Sequence, residues 1–122
     1  MRILLADDEA NARYGLRVLL EQQPEYGVVG EAADAVGLLA GTEAACPDLV
    51  LLDWGLPGLA ADELLGALRR VYPNLHVIVL SGRPEEHQVV LAAGADAFVS
   101  KADPPEQLLA AIQSVQEARR ET

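Results

Sequence analysis

Four short apolar runs of this chain each end in a polar side chain able to take part in chemistry. Ile3-Leu4-Leu5-Ala6 ends in Asp7-Asp8, Leu49-Val50-Leu51-Leu52 in Asp53, Val77-Ile78-Val79-Leu80 in Ser81, and Phe98-Val99-Ser100 in Lys101. If the runs are parallel strands of one sheet, three carboxylates, a hydroxyl and an ammonium meet at one edge. That edge is where open α/β sheets bind ligands. Three acids that close repel one another unless a cation sits among them, and a hard divalent ion with oxygen ligands, Mg²⁺, suits them. A carboxylate beside such an ion, with a Lys and a hydroxyl opposite, is equipped to accept a phosphoryl group.

Each of these residues also has a plainer reading. Asp7-Asp8-Glu9 could complement the dipole of a following helix. Asp53 could be a turn residue ahead of Trp54-Gly55-Leu56-Pro57-Gly58, and Ser81 could cap a turn with Gly82. Lys101 is harder to set aside, because a Lys ending a buried strand usually has a charged partner, and Asp53 is the obvious one. Trp54 reads as a packing or partner-contact residue. His76 and His87 lack metal-ligand spacing and read as surface residues. Cys46, the single cysteine, reads as a small buried residue before Pro47.

The elements that must position this set alternate strand and helix about five times, the layout of a doubly wound parallel sheet with helices on both faces. Strand one is expected near Arg2–Ala6 and helix one near Ala12–Gln23, with Leu16, Leu19 and Leu20 on one face and Pro24 as a stop. Strand two falls near Val28–Ala32. Asp34 caps a short helix carrying Val36, Leu38 and Leu39, and Pro47 precedes strand three. Helix three carries Leu64, Leu65, Leu68 and Val71. Pro84–Ala93 reads as a fourth helix with a weaker apolar face, closed by Gly94. For the last helix, Asp103 is the expected N-cap, Pro104 the first helical residue and Glu106 the partner in a capping box. Leu108, Leu109, Ile112 and Val115 form its buried stripe.

The bulk properties narrow the field. At 122 residues the chain is expected to be one domain, residues 1–122. A formal charge of -10 argues against nucleic-acid binding through it, because phosphate contacts need Lys and Arg. One cysteine makes no internal disulfide and fits a reducing cytoplasm. No signal peptide or membrane span is expected.

Asp7-Asp8, Asp53 with Pro57 four residues on, Ser81-Gly82, and Lys101 with Phe98 three residues before it resemble the receiver domain of bacterial two-component response regulators. The resemblance covers about residues 2–117. It implies a flavodoxin-like sheet in order 2-1-3-4-5. By the same resemblance, Asp53 is the phosphoacceptor. Asp8 and Asp53 ligate Mg²⁺ directly, with the Gly55 backbone carbonyl as a third ligand and Asp7 acting through water. Ser81 and Lys101 contact the phosphate, and Ser81 with Phe98 form the switch pair. The implied partners are a histidine kinase or phosphotransfer protein, and an output domain or protein at helix four, strand five and helix five. A homodimer on phosphorylation is a further possibility. Gly30-Glu31-Ala32 and Lys101–Leu108 are similar to receivers attached to LuxR-type DNA-binding domains. Departures from the family pattern are Ala60-Ala61 after Pro57, Ala102 in place of a common Pro, Gly55 without a side chain to steer water, and Phe98 in place of a common Tyr.

Such a domain is a signalling module and not a turnover enzyme, although it assists its own phosphotransfer and dephosphorylation. A phosphatase of the haloacid dehalogenase type also uses Asp, Ser or Thr, Lys and Mg²⁺. It needs a second Asp two residues after the nucleophile, where this chain has Gly55, and a cap domain for which the chain is short. A flavodoxin-like FMN protein needs a Ser- or Gly-rich phosphate loop, which Asp7-Asp8-Glu9 is not. A receiver that only docks, without phosphorylation, is the third alternative.

Overall fold

The computed structural model describes residues 1–121, and Thr122 lies outside the described residues. The elements are β1 Arg2–Ala6, α1 Ala10–Glu21, β2 Gly27–Ala32, α2 Ala35–Ala45, β3 Leu49–Asp53, α3 Ala61–Val71, β4 His76–Ser81, α4 His87–Ala92, β5 Ala97–Ser100 and α5 Pro105–Glu121, with a 3₁₀ turn at Pro84–Glu86. The five strands form one parallel sheet in the order β2-β1-β3-β4-β5.

Successive side chains of a strand point to opposite faces. Here both faces are apolar, as they must be when helices cover both. Leu4, Val50, Leu52, Val77 and Val79 pack with Leu38 of α2, Leu64, Leu65 and Leu68 of α3, and Val90 of α4. Ile3, Leu5, Leu49, Leu51 and Ile78 pack with Leu20 of α1 and Leu108, Ile112 and Val115 of α5. The sheet is therefore pinned from both sides, and its C-terminal edge is a rigid platform.

Local signals decide where several elements begin. Asp34 caps α2, its carboxylate accepting the Gly37 N–H at 2.7 Å. Gly94, at φ +108°, lies just beyond the end of α4. Gly58, at φ +114°, turns the loop after β3, where an added Cβ would lie 3.0 Å from Ala35 Cβ and 3.2 Å from its amide nitrogen. The Ala35 N–H donates to the Pro57 carbonyl at 2.8 Å, so this loop is tied to the start of α2. Ala60 has an ordinary φ of −59°: Gly58 takes the positive φ, so Ala60-Ala61 puts no backbone strain on the loop.

Some expectations are corrected. Helix α1 begins at Ala10 and ends at Glu21, two residues before the expected span at each end. Val36 and Val71 are exposed, because α2 and α3 bury narrower stripes than their apolar content allows. The expected fourth helix divides into the 3₁₀ turn and a six-residue α4. Helix α5 starts at Pro105, and Asp103 folds back to accept the Ser100 N–H at 3.1 Å instead of completing a capping box. Cys46 is exposed, in the left-handed conformation at the end of α2. Among the described residues no peptide bond is cis, so the bond after Lys101 is trans.

Candidate functional site

The strand order reverses at β1, whose neighbours are β2 on one side and β3 on the other. Asp7 follows the last residue of β1 and Asp53 is the last of β3, so both carboxylates stand at the switch point of the sheet. Both are buried, at 2% and 8% exposure, whereas Asp8 next to them is exposed. One carboxylate oxygen from each of Asp7, Asp8 and Asp53 lies within 4.8 Å of the others.

Backbone and side-chain bonds fix this set. The Asp7 N–H donates to the Ala32 carbonyl at 3.0 Å. Asp7 Oδ1 accepts the Glu9 N–H at 2.9 Å, and the Asp7 carbonyl accepts Arg13 Nη1 at 2.6 Å. Arg13 Nε is in turn 3.0 Å from Glu31 Oε1. Arg17 also bonds Glu31, and it is chiefly this hydrogen bond, opposed by partial burial and aided by Arg13, that lowers the Glu31 pKa. Thus α1 and β2 together hold the turn that carries Asp7 and Asp8.

Lys101 Nζ lies 3.2 Å from Asp7 Oδ2 and 3.2 Å from Asp53 Oδ1. Asp53 is the partner expected from the sequence, and Asp7 is a second. Burial pulls the Lys101 pKa down, but the attraction of Asp53 and then of Asp7, with their hydrogen bonds, outweighs it and the net shift is upward. The ammonium offsets one of three negative charges. Asp53 Oδ1 also accepts the Gly55 N–H at 3.1 Å. Both of these contacts to Asp53 thus fall on one oxygen, Oδ1.

Ser81, 3% exposed, ends β4. Its Oγ accepts the Arg83 N–H at 3.0 Å and donates to Glu86 Oε1 at 2.5 Å. It caps the turn and borders a cleft shared with Asp53, Trp54, Gly55, Glu86 and Lys101. Phe98 is partly buried on the other side of the turn, stacked on the His87 ring. Trp54 packs against the core, as expected. His76 is half-buried and 3.6 Å from Asp96, not a simple surface residue. The sequence reading missed Arg13 and Glu86. Pro84, which starts the 3₁₀ turn, was the available signal for Glu86. Arg13 lies one helical turn into α1 and left no such mark.

Together, the five-stranded order, the acid triad, the Lys bridge and the hydroxyl define an α/β domain with an acidic site at the carboxyl edge of its sheet. The model of the response regulator receiver domain matches residues 3–113, and the chain belongs to that family. It is therefore a signalling domain of the two-component kind. Over 112 residues it is 38% identical to the nitrate/nitrite response regulator protein NarL of Escherichia coli K12, covering 90% of this chain and 52% of that protein. The chain spans about half the length of the curated relatives it matches. Among solved structures, RcsB of Salmonella enterica serovar Typhimurium, bound to a promoter, superposes with a TM-score of 0.90 at 27% identity, over 97% of this chain and 62% of that one. A CheY-like receiver domain protein from Methanospirillum hungatei gives 0.85 at 31% identity, over 99% and 98%. No helix among the described residues is long and apolar enough to cross a membrane.

Proposed function

We propose that Asp53 accepts a phosphoryl group from a phosphohistidine of a histidine kinase or phosphotransfer protein. The observation that carries this reading is the double contact of Lys101 with Asp7 and Asp53 beside a carboxylate triad. Lys101 and Gly55 hold Oδ1 of Asp53, which leaves Oδ2 to attack phosphorus. The P–N bond to the donor imidazole breaks, a P–O bond to Oδ2 forms, and the imidazole leaves with the bonding pair.

The donor set fits a hard divalent cation: three carboxylates, one exposed and two buried, with oxygens close enough to share one ion. In this reading Asp8 and Asp53 would hold Mg²⁺ directly, with the Gly55 carbonyl as a third protein ligand and Asp7 acting through water. When bound, the ion neutralises charge on the phosphoryl oxygens. Lys101 would meet the same oxygens from the other side, and the Ser81 hydroxyl would follow. Ser81 and Phe98 then act as the switch pair.

We further read residues 1–122 as one receiver unit, working in the cytoplasm. Its partner surface is α4, β5 and α5, where an output domain or protein would bind, and phosphorylation could favour a homodimer. The test is intact-mass measurement after incubation with acetyl phosphate and Mg²⁺. A single phosphoryl addition is expected, absent without Mg²⁺ and absent in Asp53→Asn. An addition that survives Asp53→Asn would sink the assignment.

A further inference from the structure

Ser81 Oγ carries one hydrogen and so donates to one acceptor. Glu86 Oε1 is 2.5 Å away, while the Arg83 carbonyl stands at 3.5 Å, the outer limit of a hydrogen bond. The short, charge-assisted contact takes the proton. A phosphoryl oxygen on Asp53 would present Ser81 with a second acceptor. The hydroxyl therefore reaches it only by letting Glu86 go. Glu86 borders the same cleft as Asp53 and Lys101, so new negative charge there pushes against its carboxylate.

The next residue, His87, lies over Phe98 with ring centroids 4.8 Å apart and planes 12° from parallel. Two consecutive residues, the last of the 3₁₀ turn and the first of α4, therefore hold both members of the expected switch pair. Glu86 holds Ser81, and His87 holds Phe98.

We propose that Glu86-His87 is a latch that keeps Ser81 and Phe98 in the resting state and passes the release of one to the other. The inference rests on Asp53 as the acceptor. On phosphorylation the Ser81 hydrogen changes acceptor, from Glu86 Oε1 to a phosphoryl oxygen, and no covalent bond to either residue is made or broken. The freed carboxylate turns toward solvent, the 3₁₀ turn shifts, and His87 leaves the face of Phe98. Glu86 is a positioning residue: it acts through Ser81.

The probe is beryllofluoride with Mg²⁺, titrated into the chain and followed by amide and Trp54 indole N–H chemical shifts. Glu86→Ala should bind beryllofluoride about tenfold tighter than wild type, the equivalent of one charged hydrogen bond no longer competing. In a Ser81→Ala background the same substitution should alter affinity by less than about threefold, since the competing bond is already gone. Glu86→Gln, which keeps an acceptor oxygen, should fall between. His87→Ala should move the Phe98 ring signals of the unloaded protein toward their beryllofluoride-bound positions. An unchanged affinity in Glu86→Ala overturns the latch. Equal tightening in both backgrounds also overturns it, because Glu86 would then act by charge alone. If wild type binds no beryllofluoride, or Asp53→Asn binds it equally well, the acceptor reading fails and the latch with it. A latch that fails alone leaves binding intact and abolished by Asp53→Asn.

Discussion

Replacing Asp8 with Asn should raise stability without metal and remove most of the stability gained with it. Asp8 is the exposed member of the triad, and Lys101 bonds to the other two acids. Its oxygen lies within 4.8 Å of those of Asp7 and Asp53. At that separation each pair costs about 0.9 kcal/mol in water and about 3.5 kcal/mol at an effective dielectric of 20. Exposure of Asp8 selects the lower figure, and Lys101 cancels part of it, which leaves about 1 kcal/mol in all. For a domain of this size that raises the melting midpoint of metal-free Asp8→Asn by about 3–6 °C. Mg²⁺ reverses the order. At 100 times its dissociation constant an ion adds about 2.7 kcal/mol to the wild type, and a mutant binding it 100-fold more weakly gains only about 0.4 kcal/mol. The two melting curves, followed by circular dichroism in EDTA and across a Mg²⁺ series at constant ionic strength, should therefore cross. Equal Mg²⁺ shifts in both proteins would refute the reasoning, because the ion would then bind away from Asp8.

Two further outcomes follow from single contacts. The Lys101 pKa is raised above its ordinary 10.5, so the stability it contributes is fully present below that value and is lost as pH rises through the folded-state value; urea midpoints of wild type should fall more steeply than those of Lys101→Met above about pH 10, and parallel profiles would contradict this. Gly58→Ala should lower the urea-derived stability by about 1–3 kcal/mol, because it places a Cβ at φ +114° and 3.0 Å from Ala35 Cβ; an unchanged midpoint would mean that the loop relaxes freely.

The sheet and most of the site were legible because each strand is an apolar run closed by one polar residue. Ile3 to Asp7 and Leu49 to Asp53 give strand, edge and functional group in a single reading. Contacts made across turns were less legible. The sequence offered Asp53 to Lys101, but nothing in it turned Asp7 inward to share the ammonium. Glu86 meets Ser81 through a 3₁₀ turn, and no periodicity marks such a pairing. At α5, Asp103 had two consecutive prolines ahead of it and a free Ser100 amide behind, and it took the amide. Val71 and Val36 fit helical apolar spacing but lie at the margins of stripes whose width is set by how α3 and α2 sit on the sheet. Residue type alone puts Cys46 inside, whereas its exposed position at the end of α2 is decided by the turn into Pro47.

Helix α4 is six residues long, has no side-chain cap at its start and buries one residue, Val90. A helix that short forms few of its own backbone bonds and cannot repay its nucleation by itself. It persists because Val90 is seated in the core and because the preceding turn is tied to Ser81. Local opening of α4 therefore costs much less than global unfolding. A receiver with a long, well-capped fourth helix would need a large free-energy input to rearrange that flank. In this chain the segment is short, uncapped and anchored by Val90 alone, so under the proposed latch one hydroxyl changing its acceptor acts on an element with few bonds of its own to resist it.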